Sequence, residues 1–290
     1  MTFKHQISII GTGAIGSALA ISFHDKGIFI SGLYNRDQSK ASHLSKIVDA
    51  ESIGQFPDSP NFLGEICFIC VPDDAITEVV EKLAKLDHAF PNVSFVHTSG
   101  SKPASALSIL KDKGAAVASF HPLQTFDNTK SIKSLDKSYV SLQGDGELVK
   151  DLQDLVEILG ARYLVVNEKQ KACLHLTAVM ASNNLVALLE ATRQILQLEV
   201  PDADVREVMK PLIDKTWENI LNNGIDESLT GPINRGDSGT IMEHISYLEK
   251  SPELTNIYTG LGTLALEISK RKGLDKQKVQ DIQRILSDAK

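Results

Sequence analysis

Six residues, Gly11-Thr12-Gly13-Ala14-Ile15-Gly16, stand between the apolar run Ile7-Ser8-Ile9-Ile10 and the helix-forming stretch Ser17-Ala18-Leu19-Ala20-Ile21-Ser22-Phe23. A G-x-G-x-x-G between a strand and a helix constrains the fold strongly, because each glycine meets a steric demand there. Gly11 permits the tight turn, Gly13 lets an anion come close to the backbone, and Gly16 lets the helix pack against the strand. The helix then presents its free N–H groups at the turn, where they suit a pyrophosphate. The expectation is a dinucleotide held by Gly11, Thr12, Gly13, Ala14, Ile15 and Gly16, and the alternative is a turn used only for packing.

Beyond the turn, short apolar runs alternate with helical stretches through about residue 165, the pattern of β-α-β units around a parallel sheet. Strands are expected at residues 7–10, 29–34, 66–71, 94–97, 116–120, 139–142 and 163–166, and helices at 15–26, 75–86, 104–113 and 148–159. After Val166 the strand signals stop and helical patterns cover 169–198, 203–223, 238–248, 253–271 and 276–287. The fold class is therefore α/β: a doubly wound dinucleotide-binding domain over 1–166, followed by an all-α domain over 167–290. There is no internal repeat or low-complexity tract.

With 30 Lys and Arg against 37 Asp and Glu, the net charge of -7 argues against a broad basic surface for nucleic acid or an anionic membrane. Each apolar stretch is read as too short for the roughly 18 to 20 residues that span a bilayer, and the N-terminus lacks a signal-peptide pattern. Together with only three cysteines, this predicts a cytoplasmic protein. Cys67 and Cys70 form a C-x-x-C inside an apolar strand, where residues three apart face opposite sides, so core packing is expected rather than redox or metal chemistry. No histidine has metal-ligand spacing, and no metal site is expected.

In doubly wound sheets ligands lie beyond the carboxyl ends of the strands, so the residues at those ends are the candidates for cofactor contact. Asn35-Arg36 follows the second strand, where an acidic residue would bind the ribose of NAD. A neutral amide and a guanidinium there suit a 2′-phosphate, which predicts NADP; Asp37, one position on, keeps NAD open. Val71 and Pro72 are expected to give backbone contacts to the cofactor, with Asp73 or Asp74 capping the next helix. Thr98 and Ser99, in His97-Thr98-Ser99-Gly100-Ser101, are candidates for the nicotinamide end.

His121 ends a strand and precedes a proline, which keeps it extended, and its ordinary titration range suits proton transfer beside a hydride step. The first helix of the second domain is apolar around most of its circumference and should be deeply buried. At about 100° per residue, Lys171, His175 and Ser182 fall within about 40° of one another on that helix, with Asn183 about 80° from His175. The chosen catalytic set is His121 and His175 for the proton and Asn183 for positioning. Arg235, in Thr230-Gly231-Pro232-Ile233-Asn234-Arg235-Gly236-Asp237, could fork a carboxylate, or the segment is a helix break capped by Asp237 or Ser238.

Taken in order, Gly11 to Gly16, Asn35-Arg36, Cys70-Val71-Pro72, His97-Thr98-Ser99-Gly100, Phe120-His121-Pro122-Leu123-Gln124-Thr125-Phe126, Ala181-Ser182-Asn183-Asn184 and Thr230-Gly231-Pro232 resemble one family along the whole chain. That family is the bacterial NADP-dependent oxidoreductases with a Rossmann-like N-terminal domain and a helical C-terminal domain of unknown function. Its wider kin are pyrroline-5-carboxylate reductase, prephenate dehydrogenase and the 6-phosphogluconate dehydrogenase-like group. The resemblance implies a 6-phosphogluconate dehydrogenase C-terminal-like helical domain and a homodimer formed through it. It names no substrate. Two departures from the kin matter. Lys171 is followed by Leu174 and His175 where β-hydroxyacid dehydrogenases place an asparagine after their lysine, which counts against a lysine mechanism. Thr230 to Asn234 replaces the Ser-Pro-Gly-Gly-Thr loop of the proline enzyme. The expected activity is hydride transfer between NADP and a small anionic carbonyl, imine or alcohol. The alternative is an NADP-binding sensor or scaffold without turnover.

Overall fold

The computed structural model describes residues 3–86, 89–126 and 135–289. The chain divides into two compact units, Met1–Asn184 and Leu185–Lys290. The first is built on an eight-stranded sheet: β1 (Ile7–Ile10), β2 (Ile30–Tyr34), β3 (Ser52–Gly54), β4 (Ile66–Ile69), β5 (Ser94–His97), β6 (Ala116–Pro122), β7 (Tyr139–Gly144) and β8 (Arg162–Val165). The strand order is β3-β2-β1-β4-β5-β6-β7-β8, with every pairing parallel except β6 with β7.

Helices α1 (Ala14–Asp25), α2 (Gln38–Val48), α3 (Ile76–Ala84), α4 (Ser108–Lys111) and α5 (Gly146–Ile158) connect the strands, and α6 (Glu168–Ala181) follows the last one. Successive strand residues feed opposite sides of the sheet. Ile66 and Phe68 of β4 join one buried cluster with Leu19, Phe23 and Phe120, while Cys67 and Ile69 join another with Ile76, Val80 and Phe95. Near-continuous apolar strands are what a sheet covered on both faces requires.

All seven strands expected from sequence are present. Helix α2 and strand β3 were not expected: β3 is a three-residue edge strand, and α2 presents only Ala41, Leu44, Ser45 and Val48 to the interior. Helices were expected at 75–86 and 104–113, and each instead begins as a 3-10 turn, Asp73–Ala75 and Ala104–Leu107. In the contact pattern α6 belongs with the sheet unit, where Lys171 in its first turn donates to the Ser99 carbonyl.

The second unit is helical. It contains most of α7 (Asn183–Gln197), then α8 (Val205–Ser228), α9 (Pro232–Arg235), α10 (Ser238–Leu248), α11 (Pro252–Arg271) and α12 (Lys276–Asp288). Its interior is formed by Ile233, Ile241, Leu266, Ile282 and Leu286. Gly224, at φ 81° and ψ 173°, interrupts α8 just past the helical pattern expected over 203–223.

Two expectations for the 169–198 stretch are corrected. It is not one helix, since Ser182 at φ -120° and ψ -72° separates α6 from α7. Nor is it deeply buried. In α6 only Lys171 is buried while Leu176 and Met180 are exposed, and in α7 Leu185 and Val186 are exposed. The stretch Glu168–Gln197 also contains an 18-residue window with mean hydropathy 1.5, long and apolar enough by composition to cross a membrane, so the statement that every apolar stretch is too short does not hold there.

Candidate active site

Strands β2, β1, β4, β5 and β6 run in the same direction and lie side by side, so their carboxyl ends deliver five loops to one edge of the sheet. At the β1 end Gly11 has φ 100°, and an added Cβ there would strike the Cys70 carbonyl. One on Gly16 would overlap the Gly11 carbonyl oxygen, whereas one on Gly13 would meet no atom within 4 Å. The first and last glycines are thus required by the protein's own packing, and the middle one faces open space. Gly13 is also the N-cap of α1 and offers no capping side chain. The first N–H groups of the helix therefore have no side-chain acceptor, as an anion site needs.

At the β2 end the Asn35 amide donates to the Thr12 hydroxyl (2.8 Å), and its carbonyl oxygen accepts the Asp37 N–H (2.9 Å). Asn35 therefore braces the glycine turn. Asp37 is occupied as the N-cap of α2, accepting from the backbone and hydroxyl of Ser39. Arg36 is exposed and, among the described residues, makes no hydrogen bond or ion pair. The cationic donor is free while the neighbouring carboxylate is engaged.

Val71 and Pro72 continue from β4 at the same edge. Asp73, expected as a helix cap, instead accepts the Ser101 hydroxyl (2.6 Å). Burial raises the Asp73 carboxyl, but hydrogen bonds from Ser101 and Ser99 outweigh it and hold the group below the ordinary range. Thr98 and Ser99 are buried, and the Ser99 hydroxyl accepts the Lys102 N–H (2.9 Å).

The histidines meet at the β5 and β6 ends. His97 is fully buried, its Nδ1 accepts the Ser99 N–H (3.2 Å), and its Nε2 lies 3.0 Å from the Pro103 carbonyl, so the hydrogen belongs on Nε2. Burial, with help from the Lys171 charge, depresses His97 to about 4. His121 of β6 and His175 of α6 pack edge to face with ring centroids 5.9 Å apart. Gly100 fits against both: a Cβ there would lie 2.5 Å from His175 Nδ1 and 2.7 Å from His121 Nε2. Burial, then the charges of Lys171 and His175, pushes His121 to about 4. His175 Nδ1 is buried and, among the described residues, has no hydrogen-bond partner. An imidazole pair with one ring nitrogen unsatisfied is an arrangement that can take or relay a proton.

Of the three residues chosen for chemistry, the structure brings His121 and His175 together and leaves Asn183 out. Asn183 is exposed at the start of α7, and no described hydrogen bond joins it to the histidines. Arg235 is likewise exposed, with Asp237 capping α10 through the Thr240 N–H (3.2 Å). Lys171, placed on the polar stripe from sequence but not chosen for the site, is 2% exposed and donates to the Ser99 carbonyl (2.8 Å) and the Ser119 hydroxyl (2.7 Å). The available signal was its i, i+4 spacing from His175 on an otherwise apolar helix. Cys67 and Cys70 belong to different core clusters, and burial pushes each thiol up to about 12.

Residues 2–122 match the Rossmann-like domain family, and residues 138–265 match a domain of unknown function, DUF2520. The chain is a Rossmann-like domain followed by a DUF2520 domain. This is the two-domain family that the ordered motifs resemble. No curated protein matches the chain. Among solved structures, a "putative NADP oxidoreductase" of Bacteroides fragilis superposes with a TM-score of 0.74 at 22% identity, covering 92% of this chain and 100% of its own. A Thermotoga maritima protein superposes with a TM-score of 0.72 at 26% identity, covering 92% of this chain and 99% of its own. A reductive aminase of Aspergillus terreus, in complex with NADPH and ethyl levulinate, has the same fold at a TM-score of 0.63 and 16% identity, with 97% and 99% covered. The DUF2520 match starts at the beginning of β7 and includes α6, so Lys171 and His175 belong to the DUF2520 segment while His121 belongs to the Rossmann-like one.

Proposed function

We propose that this protein is an NADP-dependent oxidoreductase of the cytoplasm, moving a hydride between nicotinamide and a small, anionic carbonyl, imine or alcohol. The observation that carries the reading is the pairing of His121 with His175 at the strand-end edge that also bears the Gly11 to Gly16 turn. The residues present suit the dinucleotide: the uncapped start of α1 at Gly13 for the pyrophosphate and the unpaired Arg36 for a 2′-phosphate. The names of the fold neighbours, an NADP oxidoreductase and an NADPH-bound reductive aminase, support the same cofactor.

In this reading the bound cofactor supplies or accepts the hydride. The protein binds, orients and handles the proton. Neutral at physiological pH, His121 accepts a proton from an alcohol or amine during oxidation, and the unsatisfied Nδ1 of His175 gives a second position for it. Gly100 leaves the room in which both rings fit. A homodimer through the helical domain belongs to the same reading, supported by the exposed side chains Leu212, Trp217, Leu221 and Ile225 along α8.

Thermal unfolding with NADPH, with NADH and with neither is the direct test. Selective binding at a hundredfold excess over Kd stabilises the fold by about 2.7 kcal/mol, a shift of several degrees for a chain of this size. A larger shift with NADPH than with NADH is the expected result, and no shift with either removes the oxidoreductase reading. His121→Ala should keep the NADPH shift and lose turnover found by screening imines and 2-oxo acids.

A further inference from the structure

We infer that Lys171 is the positioning residue of the histidine pair, its buried ammonium tying the Ser99 carbonyl and the Ser119 hydroxyl to the helix that carries His175. This rests on the functional reading above only in calling the pair a proton-handling site. The contacts stand by themselves.

A lysine that is 2% exposed, with no carboxylate within ion-pair distance among the described residues, is costly to keep for packing alone. It is retained where its donors meet fixed acceptors. Here they meet one on the loop after β5 and one on β6, so Lys171 joins α6 to two adjacent strand ends. His175 lies one turn further along the same face and is thereby set against His121, two residues beyond Ser119 on the same side of β6. Gly100, adjacent to the tethered Ser99 carbonyl, is the residue against which both rings pack.

The ammonium also acts through its charge. The groups that bear on His121 are Lys171 and His175 from α6, His97 from β5 and Asp73 from the β4 end. Lys171 opposes protonation of His121 and Asp73 favours it, while burial lowers Lys171 itself to about 8. One side chain thus fixes the geometry of the pair and adds to the effect of burial in lowering the proton affinity of His121.

The test is a proton NMR titration of the imidazole Cε1–H signals in the full chain, with the contact between the His121 and His175 rings followed by the nuclear Overhauser effect. Lys171→Met is expected to abolish the inter-ring effect and raise the His121 midpoint by about one unit or more. Lys171→Arg, which keeps charge and donors, should hold the midpoint low and retain the effect. An unchanged midpoint and an unchanged inter-ring effect in Lys171→Met overturn the inference. If Lys171→Met does not fold, Ser119→Ala decides: a lost or weakened inter-ring effect supports the tether, and an unchanged one overturns it. Neither readout requires cofactor or turnover. A protein that binds no NADPH but shows the expected shifts removes the functional reading and keeps this one.

Discussion

At the scale of the residue, Arg36 and Gly16 carry opposite kinds of information. Arg36 is exposed and, among the described residues, makes no hydrogen bond or ion pair, so removing it should change stability little and act mainly on the ligand. Loss of a charge-assisted contact of about 1.5 to 3 kcal/mol predicts that Arg36→Ala weakens NADPH binding roughly 10- to 100-fold and leaves NADH binding nearly unaltered, measured by calorimetric titration. Gly16 is required by the protein itself, because a methyl group there overlaps the Gly11 carbonyl oxygen. Gly16→Ala should therefore lower Tm and abolish the NADPH-induced shift together. A variant with an unchanged Tm would show that α1 can move aside. The glycine turn and Arg36 were legible in the sequence, because both are local chemistry at a strand end. Lys171 was placed on the polar stripe with His175 but left out of the chosen set, because its acceptors, the Ser99 carbonyl and the Ser119 hydroxyl, come from distant segments that the residues of α6 alone do not reveal.

At the scale of the element, α6 begins with a reciprocal capping box in which the Asn167 side chain accepts the Gln170 N–H (2.9 Å) and the Gln170 side chain accepts the Asn167 N–H (2.9 Å). The box fixes the first turn of the helix that places Lys171 and His175. Asn167→Ala should cost about 1 kcal/mol of stability in chemical denaturation and broaden the His175 signals. At the other end α6 stops at Ser182, and the next helix starts at once with Asn183. Periodicity counted across Ser182 carried Asn183 into the site on paper, whereas the break leaves it exposed. Both Ser182 and the asparagines after it favour local hydrogen bonds over helix continuation, so the interruption had a sequence signal that the apolar pattern outweighed. Helix α2 had one too, since Ala41, Leu44 and Val48 keep helical spacing, but the serines and lysines between them hid it.

At the scale of the whole molecule, two observables follow from buried histidines and exposed apolar helices. His97 and His121 titrate near 6.5 in an unfolded chain and near 4 in the fold, so between those values the unfolded state binds more protons. Unfolding free energy should fall as pH drops from 6.5 toward 4 and owe nothing to these groups above that range. Tm measured at pH 7.5, 6.0 and 4.5 checks the sign, and His97→Gln should flatten the slope. The exposed apolar stripe on α8 predicts a dimer on a light-scattering column at micromolar concentration, converted to monomer by Leu221→Glu, which introduces a charge where Leu221 is 67% exposed.

By itself the sequence determined the class of fold, a Rossmann-like sheet followed by helices, the position and steric logic of the glycine turn, and the seven longer strands, because each follows from periodicity and from backbone demands within a few neighbouring residues. Tertiary structure alone decided which polar side chains meet. His121 and His175 are 54 positions apart and pack together only because β6 and α6 are neighbours, and Lys171 acquires its role from two acceptors contributed by segments 52 and 72 residues away. Contacts at such separation depend on strand order and on burial, which desolvates a charge that in the helix alone would be an ordinary surface lysine.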